Sequence, residues 1–229
     1  MALTNRLSVA AAVAACTLGA AANADIIAGW TFQSSSFVST TVGAQTFTYP
    51  QSGTDTSFSS RHNSANTKWF NNVGNGSTAS FNADNWQAGD WNQATLSTAG
   101  YSNISINFDM TRSASGPASF AVRISTDGGA NFTDILASMP VIVNAASPTG
   151  AGTWTSATYN AAYTTTINNV TAAANQNSLI VRWVALVGGT ATGGTARMDN
   201  VQVQGTLLPA PGAAALVGLA GLMARRRRD

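Results

Sequence analysis

The sequence predicts an all-β fold, a two-sheet antiparallel sandwich of jelly-roll type, and three observations carry that prediction. Apolar and polar residues alternate with a period of two in several segments. Ile104, Ile106, Phe108 and Met110 are separated by Ser105, Asn107 and Asp109; Phe120, Val122 and Ile124 are separated by Ala121, Arg123 and Ser125. Such a period puts one set on a buried sheet face and the other in water. Turn residues punctuate these segments, Gly116-Pro117 after the first and Asp127-Gly128-Gly129 after the second, so the pair is expected to form an antiparallel hairpin with one wet face. Finally, about ten short strand patterns follow one another with almost no helical periodicity.

Taken in order, residues 1–24 have the features of a secretory signal peptide with its helix. Arg6 supplies the charged start, residues 7–22 an apolar run, and Ala22-Asn23-Ala24 the small-x-small cleavage pattern, with cleavage expected after Ala24. The one cysteine, Cys16, lies in this leader, so the folded part holds no disulfide or thiolate zinc framework. Val13-Ala14-Ala15-Cys16 offers a loose lipoprotein signal as the alternative, but residues 17–24 stay apolar where a polar tether would follow.

The sandwich domain is assigned to residues 25–206. Ile26, Ala28, Trp30 and Phe32 share one face of a first strand. Residues 34–67, rich in Ser, Thr, Asn and Gly, predict loops and edge strands, with one strand at 46–49. Short strands are expected at 68–70 and 78–81. Residues 86–96 lead into another before the central pair, and further strands are expected at 135–143 and 153–159. A helical turn suits 168–177. Leu179, Val181, Trp183, Ala185 and Val187 alternate strictly, residues 188–194 turn, and residues 197–204 close the domain with Val201 and Val203 inward.

The formal charge of +2 is an artefact of the ends. Between them stand six basic residues (Arg61, Lys68, Arg112, Arg123, Arg182, Arg197) and eight aspartates (Asp25, Asp55, Asp84, Asp90, Asp109, Asp127, Asp134, Asp199), with no glutamate anywhere. The domain is therefore near −2 and lacks the basic footprint of a nucleic-acid binder.

After Pro209-Ala210-Pro211 comes an apolar run of 13 residues, 212–224, and then Arg225, Arg226, Arg227 and Arg228. The prolines cannot continue a sheet ladder. A helix over the run spans about 20 Å, or about 27 Å with Leu207 and Leu208, against a hydrocarbon core of about 30 Å. A short hydrophobic helix with cytoplasmic arginines is expected to act as a membrane stop. Proline motif, short span and arginine cluster, in that order over residues 207–229, resemble a PEP-CTERM sorting signal, also labelled the ice-binding protein C-terminal domain. The resemblance implies export, brief membrane anchoring and processing by an exosortase-type enzyme near Pro209 and Pro211. The chain departs from the pattern at Ala210, where the usual motif carries glutamate.

Catalytic constellations are sparse. His62 is the one histidine, it sits among polar loop residues, and no G-x-S-x-G elbow is present, so a solvated loop histidine is expected. Asp84 and Asp90 flank Trp86 and Trp91, a pairing that a polysaccharide hydrolase would use, but both lie in turn sequences where aspartate caps backbone amides. No cofactor is expected beyond one structural calcium. The run Arg197-Met198-Asp199-Asn200-Val201-Gln202-Val203 resembles the last strand of calcium-containing carbohydrate-binding jelly rolls, which implies Asp199 as a ligand beside N-terminal carbonyls. The alternative is a strand-end aspartate bonding a nearby turn. Of the six tryptophans, Trp69, Trp86 and Trp91 sit among polar residues and are the candidate glycan platform, against the commoner outcome of packing under loops.

The function expected is that of an exported, non-enzymatic cell-surface or matrix protein that binds extracellular polysaccharide or adheres. A small polysaccharide-acting hydrolase is one alternative. An ice- or surface-binding protein, suggested by the tail and by Thr164-Thr165-Thr166, is another.

Overall fold

The computed structural model describes residues 24–33, 41–49, 56–144 and 153–209. The leader, with Ala22, and the tail from residue 210, with Pro211 and Arg225–Arg228, lie outside the described residues. Thirteen strands are present among those described: β1 (Asp25–Trp30), β2 (Thr41–Val42), β3 (Thr46–Tyr49), β4 (Ser57–Arg61), β5 (Lys68–Asn72), β6 (Ser80–Ala83), β7 (Trp91–Leu96), β8 (Tyr101–Arg112), β9 (Ser119–Ser125), β10 (Thr133–Pro140), β11 (Thr164–Ile167), β12 (Leu179–Ala185) and β13 (Ala196–Leu207). Two antiparallel sheets result, a seven-stranded one ordered β11-β8-β13-β6-β5-β2 with β1 also on β13, and a six-stranded one ordered β10-β9-β12-β7-β4-β3. The all-β sandwich is thus as the alternation predicts.

The inward residues are largely those the period of two selects; Ile26, before a register shift in β1, and Val187, beyond the end of β12, are exposed instead. Ile104, Ile106, Phe108 and Met110 from β8 meet Phe120, Val122 and Ile124 from β9 and Leu179, Val181, Trp183 and Ala185 from β12 in one core. Phe58 is its hub, with ring centroids of Phe32 at 4.9 Å, Phe81 at 5.2 Å, Trp30 at 6.0 Å and Trp183 at 6.3 Å. Tilted and edge-on pairs of this kind add to the area they bury.

The expected β8–β9 hairpin is corrected. β8 pairs with β11 and β13, whereas β9 pairs with β10 and β12 in the other sheet. The connection through Gly116-Pro117 passes between sheets, so the two apolar faces oppose each other across the core. Alternation specifies which face is dry; it does not specify which edge is shared. The Asp127-Gly128-Gly129 turn does close a hairpin, β9–β10, with φ of +76° at Gly128 and +93° at Gly129. The strand expected at 153–159 is irregular chain, and the helical turn within 168–177 is a single 3-10 turn, Thr171–Ala173.

Candidate functional site

One feature of β13 shapes its outer surface. Asp199 pairs with Asp109, but Gln202 pairs with Asn107, so β13 carries one residue more than β8 over that interval. The extra residue makes a β-bulge, with Asn200 held at φ +47°, and bulges re-aim side chains. Asp199 and Asn200 both turn toward the segment after β5, while Val201 and Val203 return to the core.

That segment is built around two glycines. Asp199 Oδ2 accepts from Asn75 N at 2.9 Å and from Ser77 Oγ at 2.7 Å, and its Oδ1 accepts from Asn200 N at 2.8 Å. A Cβ on Gly74 would collide with Ser77 Oγ and Asp199 Oδ2. Gly76, at φ +77°, lies so close to Tyr159 that a Cβ would sit 2.9 Å from its backbone. Asn75 then ties in the chain before β11: its Oδ1 accepts from Asn160 N at 2.8 Å and its Nδ2 donates to Asn160 O at 2.9 Å. The same Nδ2 donates to Asp109 Oδ2 at 2.9 Å, joined there by Asn200 Nδ2 at 2.8 Å, while Thr164 Oγ1 donates to Asp109 Oδ1 at 2.6 Å.

Above this network runs an open groove of about 540 Å³ on the outer face of the seven-stranded sheet. Its floor is in register: Thr166 pairs with Asn107, which pairs with Gln202. Gln204 extends the floor, and Asn75 with Gly76 forms one wall. Tyr159 stands at the rim, 53% exposed, with its hydroxyl bonded to Thr164 Oγ1. The lining is therefore side-chain amides and hydroxyls. Asp109 is its one carboxylate, 1% exposed, and both its oxygens are taken by the donors above.

Burial and the neighbouring Asp109 charge would both raise the Asp199 carboxyl, and burial is the larger cause. It is pushed up to about 6, with the hydrogen bonds from Ser77, Asn75 and Asn200 pulling the other way. Three donors converge on this carboxylate, the surroundings of a hydrogen-bonded strut. No group of three or more His, Cys, Asp or Glu gathers among the described residues. The bonds from Asn75 and Ser77 are those of the turn-bonding alternative.

The tryptophan platform is corrected. Trp69 is fully buried and stacks on Phe47 at 5.8 Å. Trp86 is 3% exposed, donates from Nε1 to Ala83 O at 2.9 Å and packs edge-on against Phe120 at 5.2 Å. Trp91 alone reaches the surface, half-buried on the other sheet under the Arg182 guanidinium at 4.4 Å. Polar neighbours along the chain here mean strand alternation, not exposure.

His62 is corrected as well. It is fully buried, with its ring 4.2 Å from Trp86 and 5.3 Å from Trp69. Burial drives its pKa down to about 3, against a backbone bond to Asp84 that raises it, so the ring is neutral. Thr67 Oγ1 lies 3.2 Å from Nδ1. Asp84 accepts from Lys68 N at 2.8 Å, and Asp90 accepts from Asn63 N at 2.8 Å and Gln87 N at 2.6 Å; only the Gln87 bond lies within its own turn, and the others tie the turns to distant chain.

No family model matches the chain, and no curated protein matches it. Among solved structures, it is similar to the CBM22-1 xylan-binding domain from Paenibacillus barcinonensis at 13% identity and TM-score 0.46, over 83% of this chain and 100% of that one. It is similar to a cleaved adhesin domain of Lys-gingipain from Porphyromonas gingivalis at 13% identity and TM-score 0.42, over 61% and 83%. A carbohydrate-binding module from Cellvibrio mixtus lichenase 5A, solved with cellotriose, matches at 16% identity and TM-score 0.36, over 80% and 99%. Likenesses at this level carry no functional weight.

Proposed function

We propose that this protein is an exported, non-enzymatic β-sandwich that binds a neutral polysaccharide in the groove over β11, β8 and β13. The observation that supports it is the lining itself: amides and hydroxyls from Asn107, Gln202, Gln204 and Thr166 beneath the exposed ring of Tyr159. Sugar hydroxyls donate and accept, and side-chain amides answer both roles. An aromatic face covers the C–H side of a pyranose, and a groove open along its length admits a polymer. Asp109 is buried beneath neutral amide and hydroxyl donors, so the exposed lining carries no charged side chain and suits an uncharged sugar. The leader ending at Ala22 and Ala24 supports export. The tail, with Pro209, Pro211, Arg225, Arg226, Arg227 and Arg228, supports brief membrane anchoring and release by an exosortase-type enzyme into an extracellular layer.

The test is a neutral-glycan array with the full chain, followed by calorimetry on the best hit. Tyr159→Ala is expected to weaken binding by about fivefold, a stacking contact being worth about 1 kcal/mol. Gln202→Ala should cost a similar factor through a lost hydrogen bond of about 1 kcal/mol. Retention of charged glycans only, or parental affinity in both variants, sinks the reading.

A further inference from the structure

The opposite side of the sandwich carries an unrelated chemistry. Three of the basic residues of the domain face outward from the six-stranded sheet: Arg61 at the end of β4, Arg123 on β9 and Arg182 on β12. Arg182 stands directly opposite Arg123 in register, and Arg61 pairs with Trp91 on the intervening strand β7. Like charges in register repel and weaken a sheet, so this pairing by itself is unfavourable to the fold. The guanidinium of Arg182 is nonetheless clamped. Its Nε and Nη2 both donate to Gln93 Oε1, at 2.8 Å and 2.6 Å, and its plane lies between the rings of Trp91 at 4.4 Å and Phe132 at 4.0 Å. Burial lowers its pKa first, and the charges of Arg123 and Arg61 lower it further.

Little answers these cations. The buried carboxylate of Asp90 feels the charge of Arg61, with its own oxygens accepting from Asn63 N and Gln87 N. Asp134 Oδ1 accepts from Arg123 Nε at 2.6 Å. The nearby carboxylate of Asp127 is spent on Ser125 Oγ and on the amides of Asn131. Arg182 Nη1 and the whole exposed Arg61 guanidinium have no hydrogen-bond partner among the described residues.

We propose that this face is a second binding surface, for an anionic polysaccharide whose uronate carboxylates dock on Arg61, Arg182 and Arg123. A guanidinium presents a planar fork that matches a carboxylate in two parallel hydrogen bonds. A ring-clamped arginine gives up less side-chain freedom when it binds. Arg61 and Arg123 are three strand spacings and two residues of register apart, roughly 16 Å, a reach that fits charges repeated along a polymer rather than one small anion. Three cations, one of them already paired, are too few for a duplex nucleic acid. With the groove on the other sheet, the protein would cross-link a neutral chain to an acidic one.

Calorimetry of the full chain against polygalacturonate and against its methyl ester, at 20 mM and 200 mM NaCl, tests this. The expected result is binding to the acid form, lost on esterification and weakened by salt. Arg61→Gln, at an exposed site that gives up no hydrogen bond, should bind polygalacturonate at least fivefold more weakly and leave neutral-glycan binding unchanged. Asp134→Asn, which frees Arg123, should bind it at least twofold more tightly. No binding at low salt, equal binding of the ester, parental affinity in Arg61→Gln, or displacement by duplex DNA at equal charge concentration overturns the proposal. None of these outcomes depends on the groove.

Discussion

Two buried titratable residues push the stability of this protein in opposite directions with pH. His62 binds a proton in the unfolded chain below its ordinary value of about 6.5 but in the fold only near about 3. Its contribution is therefore lost as pH falls through that interval, by up to about 5 kcal/mol. Asp199 is raised to about 6, so the fold keeps its proton where the unfolded chain has released it. That contribution is present at low pH and is lost as pH rises from its ordinary value to about 6, by up to about 3 kcal/mol. Across pH 4 to 6 the two oppose each other. Asp90, pushed up by burial, acts on the side of Asp199. Asp199→Asn removes one arm of this balance. Relative to the parent, the variant should lose about 1.4 kcal/mol of unfolding free energy per pH unit as pH falls from 6 to 4. Urea melts at three pH values check this, and parallel curves for the two proteins would refute it. Asp199 was legible in the sequence as a strand-end aspartate bonding a nearby turn, but not the burial that raises it, and His62 was not legible as a buried residue at all. His62 has Arg61 and Asn63 as neighbours, and only the three-dimensional closure of Trp69 and Trp86 makes it dry.

At the level of elements, the bulge in β13 is what gathers the groove. Asn200 holds a left-handed backbone that costs a non-glycine residue roughly 1–2 kcal/mol, and its Nδ2 donates to both Asp109 Oδ2 and Asn75 O. Asn200→Gly loses the side-chain bonds but suits the angle, whereas Asn200→Ala loses the bonds and keeps the strain. The alanine variant should therefore be less stable than the glycine variant by about 1 kcal/mol in denaturant melts. Equal stabilities would mean that the bulge relaxes when its side chain goes. The alternation made β8, β9, β12 and β13 readable, because each buries four or so large residues on one side. It left β4 hidden: Ser57-Phe58-Ser59-Ser60-Arg61 offers one large apolar residue, yet that Phe58 is the hub of the core and β4 lies between β7 and β3. The groove was half visible. Asn107, Gln202 and Gln204 were placed in water by their phase, but only the pairing register brings them together with Thr166 and Tyr159.

For the whole molecule, the sandwich carries a groove lined by amides and hydroxyls over one sheet and a cluster of three guanidiniums over the other. Both faces matter only if the domain reaches a polysaccharide. Mass spectrometry of protein recovered from the culture medium is expected to show an N-terminus at Asp25 and a C-terminus near Pro209–Pro211. Recovery from the cytosol with Met1 and Asp229 both intact would remove the export reading and the matrix role with it.

The position of β13 sets a timetable. This last strand lies between β8 on one flank and β1 and β6 on the other, so it completes hydrogen-bond ladders begun near residues 25, 80 and 101. As the chain leaves the ribosome, those earlier strands wait with open edges until the final strand arrives. Such distant pairings form slowly. On the export reading proposed above, a nascent chain that cannot close early stays threadable for a translocation channel until β13 is through.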